Sequence, residues 1–108
     1  MPYASRRVTA LLLTVIATTL ALAQTPGDAR AGKAVASALC VQCHRIDRAE
    51  RSEPRSPPDF GAIADMASTT SLALRVFLQT PHGDMPRYQL SPAEMDDVIA
   101  YIIGLRAR

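Results

Sequence analysis

Five consecutive residues, Cys40-Val41-Gln42-Cys43-His44, constrain this chain more than any other feature of it. They contain its only two cysteines, and the C-x-x-C-H spacing is the pattern of covalent haem attachment. Each thiol can add to one vinyl group of a haem, and the next residue can then turn a ring nitrogen onto the iron from the same side. Other uses of the five residues fit less well. A zinc site needs two further ligands, whereas the remaining histidine, His82, stands alone 38 positions after His44 with no cysteine near it. A thioredoxin-type redox pair expects a βαβ setting, and a disulfide between such close cysteines closes too small a loop to stabilise much.

The start of the chain reads as an export leader. Arg6 and Arg7 precede an apolar run from Val8 to Leu22, which ends in Ala21-Leu22-Ala23, the small-x-small pattern cut by signal peptidase. The expected division is a cleavable signal peptide over residues 1–23 and one domain over residues 24–108. From Val8 to Ala23 the run is 16 residues long with four threonines, short of the roughly 20 apolar residues that span a bilayer. An uncleaved anchor is therefore the less favoured reading. A twin-arginine leader is the alternative to the general export route.

Of the 12 basic and 10 acidic residues, only Arg6 and Arg7 fall in the leader, so the mature chain carries ten of each sign. Such a balance gives no support for nucleic-acid binding, which needs a concentrated basic surface. The mature part holds four aromatics, Phe60, Phe77, Tyr88 and Tyr101, and no tryptophan. A domain this small buries little core and often depends on a disulfide, a metal or a cofactor.

Everything after the leader reads as helix or loop, with no convincing alternation of apolar and polar residues. A first helix is expected over about 28–39, capped by Asp28, with Gly32 in its body. A glycine there costs roughly 1 kcal/mol relative to alanine, which points to another element packed close against its backbone. A short helical turn follows near Phe60 to Asp65. A third helix is expected over about 70–79, burying Leu74, Phe77 and Leu78, and stopped by Pro81. The last helix opens with Ser91-Pro92-Ala93-Glu94, a serine cap, a proline at the first position and the glutamate of a capping box. Met95, Val98, Ile99, Ile102 and Leu105 form its apolar face, Asp96 and Asp97 favour its positive end, and Arg106 and Arg108 its negative end. The charge run from Arg45 to Arg55 reads as a solvated loop.

A second iron ligand has to be inferred. Met66 ends the short helix and Met95 lies on an apolar helix face, where core packing is the ordinary use of a methionine. Met85 differs, standing in the proline-flanked loop His82-Gly83-Asp84-Met85-Pro86 with no helical face to bury into. Met85 is the favoured donor and His82 its competitor, since His/Met ligation is the usual arrangement in cytochromes c.

With this haem motif, a Met-Pro loop some forty residues later and a helix at each end, the chain resembles the class I monohaem cytochromes c over nearly its whole mature length. The resemblance implies an all-α cytochrome c fold, with three to four helices wrapped around one covalently bound haem c. It makes Cys40 and Cys43 the thioether anchors, His44 the proximal ligand and Met85 the distal ligand. Pro58, in Pro57-Pro58-Asp59-Phe60, is similar to a family proline whose carbonyl accepts a hydrogen bond from the proximal histidine. Here Pro57 replaces the family's glycine and Phe60 its leucine. Gly32 and Tyr101 resemble the glycine and aromatic at which the family's terminal helices cross.

The implied function is one-electron transfer by an exported, periplasmic, monomeric carrier that is not an enzyme. Its partners would be redox proteins docking at the exposed haem edge, with neither nucleic acid nor a membrane span involved. The alternatives are a dedicated electron-accepting subunit of an exported dehydrogenase or oxidase, and a haem enzyme or ligand sensor in which Met85 leaves the iron.

Overall fold

The structure, a computed structural model, describes residues 26–48 and 54–108. The expected leader over 1–23, and the middle of the charge run, lie outside the described residues. Four helices follow in order, α1 (Ala29–Leu39), α2 (Phe60–Asp65), α3 (Ser71–Gln79) and α4 (Pro92–Gly104), and no strand occurs among the described residues. The all-α expectation holds.

Three of the four helices begin at a side-chain cap. The Asp28 side chain accepts hydrogen bonds from the backbone of Arg30 (2.8 Å) and Ala31 (3.3 Å), occupying donors that the first turn of α1 leaves free. Thr70 caps α3 by accepting from Ala73 N at 3.0 Å. At α4 both halves of the capping box form: Glu94 N donates to Ser91 Oγ (3.2 Å) and Ser91 N donates to Glu94 Oε2 (2.8 Å). Those bonds hold the Glu94 carboxyl below the usual carboxylate range.

The terminal helices α1 and α4 cross in contact, and α2 and α3 also pack on α4. A Cβ on Gly32 would lie 1.9 Å from the Asp97 carbonyl oxygen, so only glycine permits this approach. Gly27, at a φ of +110°, meets Asp96 O in the same way, with a Cβ–oxygen separation of 2.2 Å. Ala36 of α1, Phe60 and Ala64 of α2, Leu74 of α3 and Met95, Val98, Ile99, Tyr101 and Ile102 of α4 form one core with Ile46.

Several charges do work that a reading by periodicity assigns elsewhere. Asp97 reaches the neighbouring helix, its Oδ1 accepting from Asp28 N at 2.7 Å, and Asp96 pairs with Arg75 of α3. Arg106 lies beyond the end of α4 and donates to Ala64 O (2.9 Å) and Thr69 O (2.7 Å), so it satisfies carbonyls near the end of α2 rather than those of its own helix. Asp47 and Arg48, at the described start of the charge run, are also engaged. Arg48 pairs with Asp65 and donates to Leu105 O at 2.8 Å, and Asp47 accepts from Lys33 Nζ at 2.7 Å and from Tyr101 Oη at 3.1 Å.

On the inner side of α3, Leu74 is buried and Leu78 packs against the core, while the Phe77 ring stands on the wall of a cavity that Leu74 and Leu78 also line, its centroid 4.5 Å from that of His82.

Candidate haem site

The chain leaves α1 through a tight turn in which Cys40 O accepts from both Cys43 N (3.1 Å) and His44 N (2.9 Å). That turn brings the side chains of Cys40, Cys43 and His44 to the wall of one cavity of about 680 Å³. The two cysteines form no disulfide; Cys43 is exposed and Cys40 half-buried, and burial pushes the Cys40 thiol up from its ordinary pKa.

The His44 ring is fixed by its neighbours. Its Nδ1 lies 2.7 Å from Pro58 O. A carbonyl oxygen can only accept, so Nδ1 carries the proton and Nε2 keeps a free lone pair. A partner of this kind orients an imidazole and strengthens it as a metal ligand. Phe60 stands against the ring, with centroids 5.3 Å apart and planes tilted by 52°, and Tyr101 continues the cluster 6.5 Å beyond Phe60. Tyr101 is tied down in turn, donating to Ile46 O at 3.0 Å.

A second set of donors comes from the loop between α3 and α4. Met85 and His82 both line the cavity. Met85 N donates to His82 O at 3.2 Å, closing a turn that places Gly83 at a φ of +50°. The other ring nitrogen of His82 is spared, because its Nδ1 donates to Thr80 O at 2.9 Å. Met66 also reaches the cavity, 48% exposed at the end of α2, whereas Met95 is buried in the core.

The residues expected at the site, Cys40, Cys43, His44, Pro58, Met85 and the competitor His82, are thus all brought to one cavity. Its volume lies within the roughly 300–1,000 Å³ of cofactor pockets. The remaining wall is largely apolar, with Leu74, Leu78, Leu90, Val98 and Ile102 among its residues. Two thiols, an imidazole with an uncommitted nitrogen and a thioether beside a large apolar cavity fit a haem.

Sequence reasoning missed Asp59, which is 1% exposed and paired with Arg45 and Arg55. The signal was available in the spacing of Arg55 and Asp59 by four residues and in the placing of an acid between Pro58 and the apolar Phe60.

Comparison with known proteins agrees with the geometry. The family model described as cytochrome c matches residues 29–106. Cytochrome c-552 of Bradyrhizobium diazoefficiens is 34% identical over 79 residues, covering 73% of this chain and 76% of that protein. No solved structure gives a significant match. Among the described residues no helix is long and apolar enough to cross a membrane. With its motif, its cavity and its helices in agreement, the chain belongs to the cytochrome c family and carries one covalently bound haem c for electron transfer.

Proposed function

We propose that this protein is a periplasmic electron carrier in which Cys40 and Cys43 anchor the haem, His44 is the proximal ligand and Met85 the distal ligand. The observation that carries the reading is the 2.7 Å contact from His44 Nδ1 to Pro58 O, which leaves Nε2 as the free donor at the cavity. Haem c, when bound, supplies a one-electron couple between ferrous and ferric iron. The chain supplies everything that tunes it. Thioethers at Cys40 and Cys43 keep the group from dissociating in either state. His44 and Met85 would both donate to the iron, leaving it no open site for oxygen or a substrate, and a methionine donor would raise the reduction potential relative to a second histidine. Apolar residues such as Leu74, Leu78 and Ile102 keep water from the cavity wall, which disfavours the extra charge of the ferric state.

Cys43 is exposed and Val41 is 52% exposed, so the attachment segment offers partners a surface close to the cofactor. Small, short-lived interfaces are usual for redox encounters. Export places the carrier in the periplasm after cleavage behind Ala23.

His82 is a rival for the distal position, because it lines the same cavity and its second ring nitrogen is unengaged. Spectra of protein released from the periplasm, with an N-terminus expected at Gln24, decide between them. In the ferric state Met85→Ala is expected to abolish the methionine-to-iron charge-transfer band, while His82→Ala leaves it in place. A changed coordination in His82→Ala alone would reverse the assignment. Ready binding of carbon monoxide by the reduced wild type would point to a sensor or enzyme instead.

A further inference from the structure

Asp59 is the buried carboxylate among the described residues, at 1% exposure. It occupies the N-cap of α2, where an aspartate ordinarily accepts a hydrogen bond from the first turn of its helix. Asp59 makes no such bond. Its oxygens are turned instead to two arginines, Oδ2 accepting from Arg45 Nη1 at 3.3 Å and Oδ1 from Arg55 Nη1 at 3.4 Å. Neither arginine nor Asp59 lines the cavity.

Its place in the chain gives the cluster a purpose. Segment 44–45 is joined to segment 58–60 by three successive links: His44 Nδ1 to Pro58 O at 2.7 Å, the Arg45 guanidinium to Asp59, and Phe60 N to Arg45 O at 3.0 Å. The charged link sits between the other two. A hydrogen bond weakens steeply when its angle is lost, so the Pro58 carbonyl needs its own peptide held in place, and proline has no N–H with which to tie that segment down. The neighbouring carboxylate does so, bound on both sides by charge-assisted hydrogen bonds.

We propose that Asp59, clamped by Arg45 and Arg55, is a positioning residue that aims the Pro58 carbonyl at His44 and so sets the orientation and basicity of the axial imidazole. The proposal rests on His44 being an iron ligand. A carboxylate spent on helix capping would stabilise α2 alone, whereas one turned to Arg45 ties α2 to the residue next to His44.

The test uses the haem-loaded protein and follows exchange of the His44 Nδ1 proton in the reduced state by NMR, together with the hyperfine-shifted haem methyl pattern of the ferric state. Asp59→Asn keeps the shape and drops the charge. It is expected to speed that exchange about tenfold or more, the scale on which such supporting contacts act, and to change the methyl pattern as the ring turns. Arg55→Gln should produce a smaller change in the same direction, and Arg55→Lys should restore a rate near that of the wild type. If Asp59→Asn yields no folded holoprotein, Arg55→Gln decides by the same measurements, since the Arg55 side chain is 41% exposed and tolerates replacement. Wild-type exchange and an unchanged methyl pattern in the variants, whatever their melting temperature, would overturn the clamp while leaving His44 as ligand. Absence of hyperfine-shifted His44 ring signals in the wild type would overturn both.

Discussion

His44 and Met85 reach the same cavity from stretches of chain held in very different ways. Around His44 the hydrogen bonds reach far along the sequence: to Pro58 from the ring itself, from Phe60 to the neighbouring Arg45, and from Tyr101 to Ile46, 55 residues away. Around Met85 the bonds among the described residues stay within the loop, Met85 N to His82 O and His82 Nδ1 to Thr80 O. One donor is held by bonds that reach across the fold. The other depends on a turn whose firmness comes from what it packs against, and regions with few long-range contacts are the first to open. The Met85 loop is therefore the more adjustable side of the cavity.

The largest expected effect on this comparison is at Phe60, 4% exposed between His44 and Tyr101. Phe60→Ala is expected to cost about 3–5 kcal/mol, read from guanidinium chloride unfolding of the holoprotein. A loss under about 1 kcal/mol would mean that the His44 side is not the rigid one. Gly83→Ala probes the opposite side. A Cβ there meets no atom within 4 Å, so the φ of +50° is the sole obstacle, and the cost should be about 1–2 kcal/mol. A loss matching that of Phe60→Ala would erase the contrast between the two regions.

The smallest effect concerns acid stability at the edge of the His44 side. Lys33 and Tyr101 hold the Asp47 carboxyl below the usual carboxylate range, and the Ala107 backbone and Arg48 do the same for Asp65. In both cases the unfolded chain takes up the proton more readily than the folded one. Their contribution is therefore complete above the ordinary carboxylate pKa of about 4 and is lost as pH falls through the lower folded value. Asp47→Asn should flatten the fall of the melting temperature below about pH 4, while leaving neutral-pH spectra unchanged. An acid limb identical to that of the wild type would remove Asp47 from the network.

Features encoded within a few residues were legible in the sequence. The Ser91–Glu94 box, the Asp28 cap and the stop before Pro81 depend on neighbours in the chain, and the helices begin and end beside them. Gly32 was legible for another reason: a glycine in mid-helix is unfavourable enough that its presence implies a close neighbour, and Asp97 O is that neighbour. The motif and the proline-flanked methionine likewise marked out residues that share a cavity. What escaped were charges whose partners are remote. Arg48 meets Leu105, Arg106 meets Ala64, and Asp59 takes Arg45 as well as the nearer Arg55. Alternating signs in a proline-rich stretch look the same whether they face water or a buried acid, because no period relates them.

The crossing at Gly32 has a consequence for the order of events during synthesis. Its two sides are joined also by the bond from Asp28 N to Asp97, between residues 69 apart in the chain. Bringing such distant segments together must wait for the intervening chain, and contacts of high sequence separation form late. A polypeptide emerging N-terminus first cannot close this contact until its last helix is free. Through that interval the cysteine pair just after the first helix stands in open chain, where the prosthetic group can be joined to it before the two ends shut over the cavity.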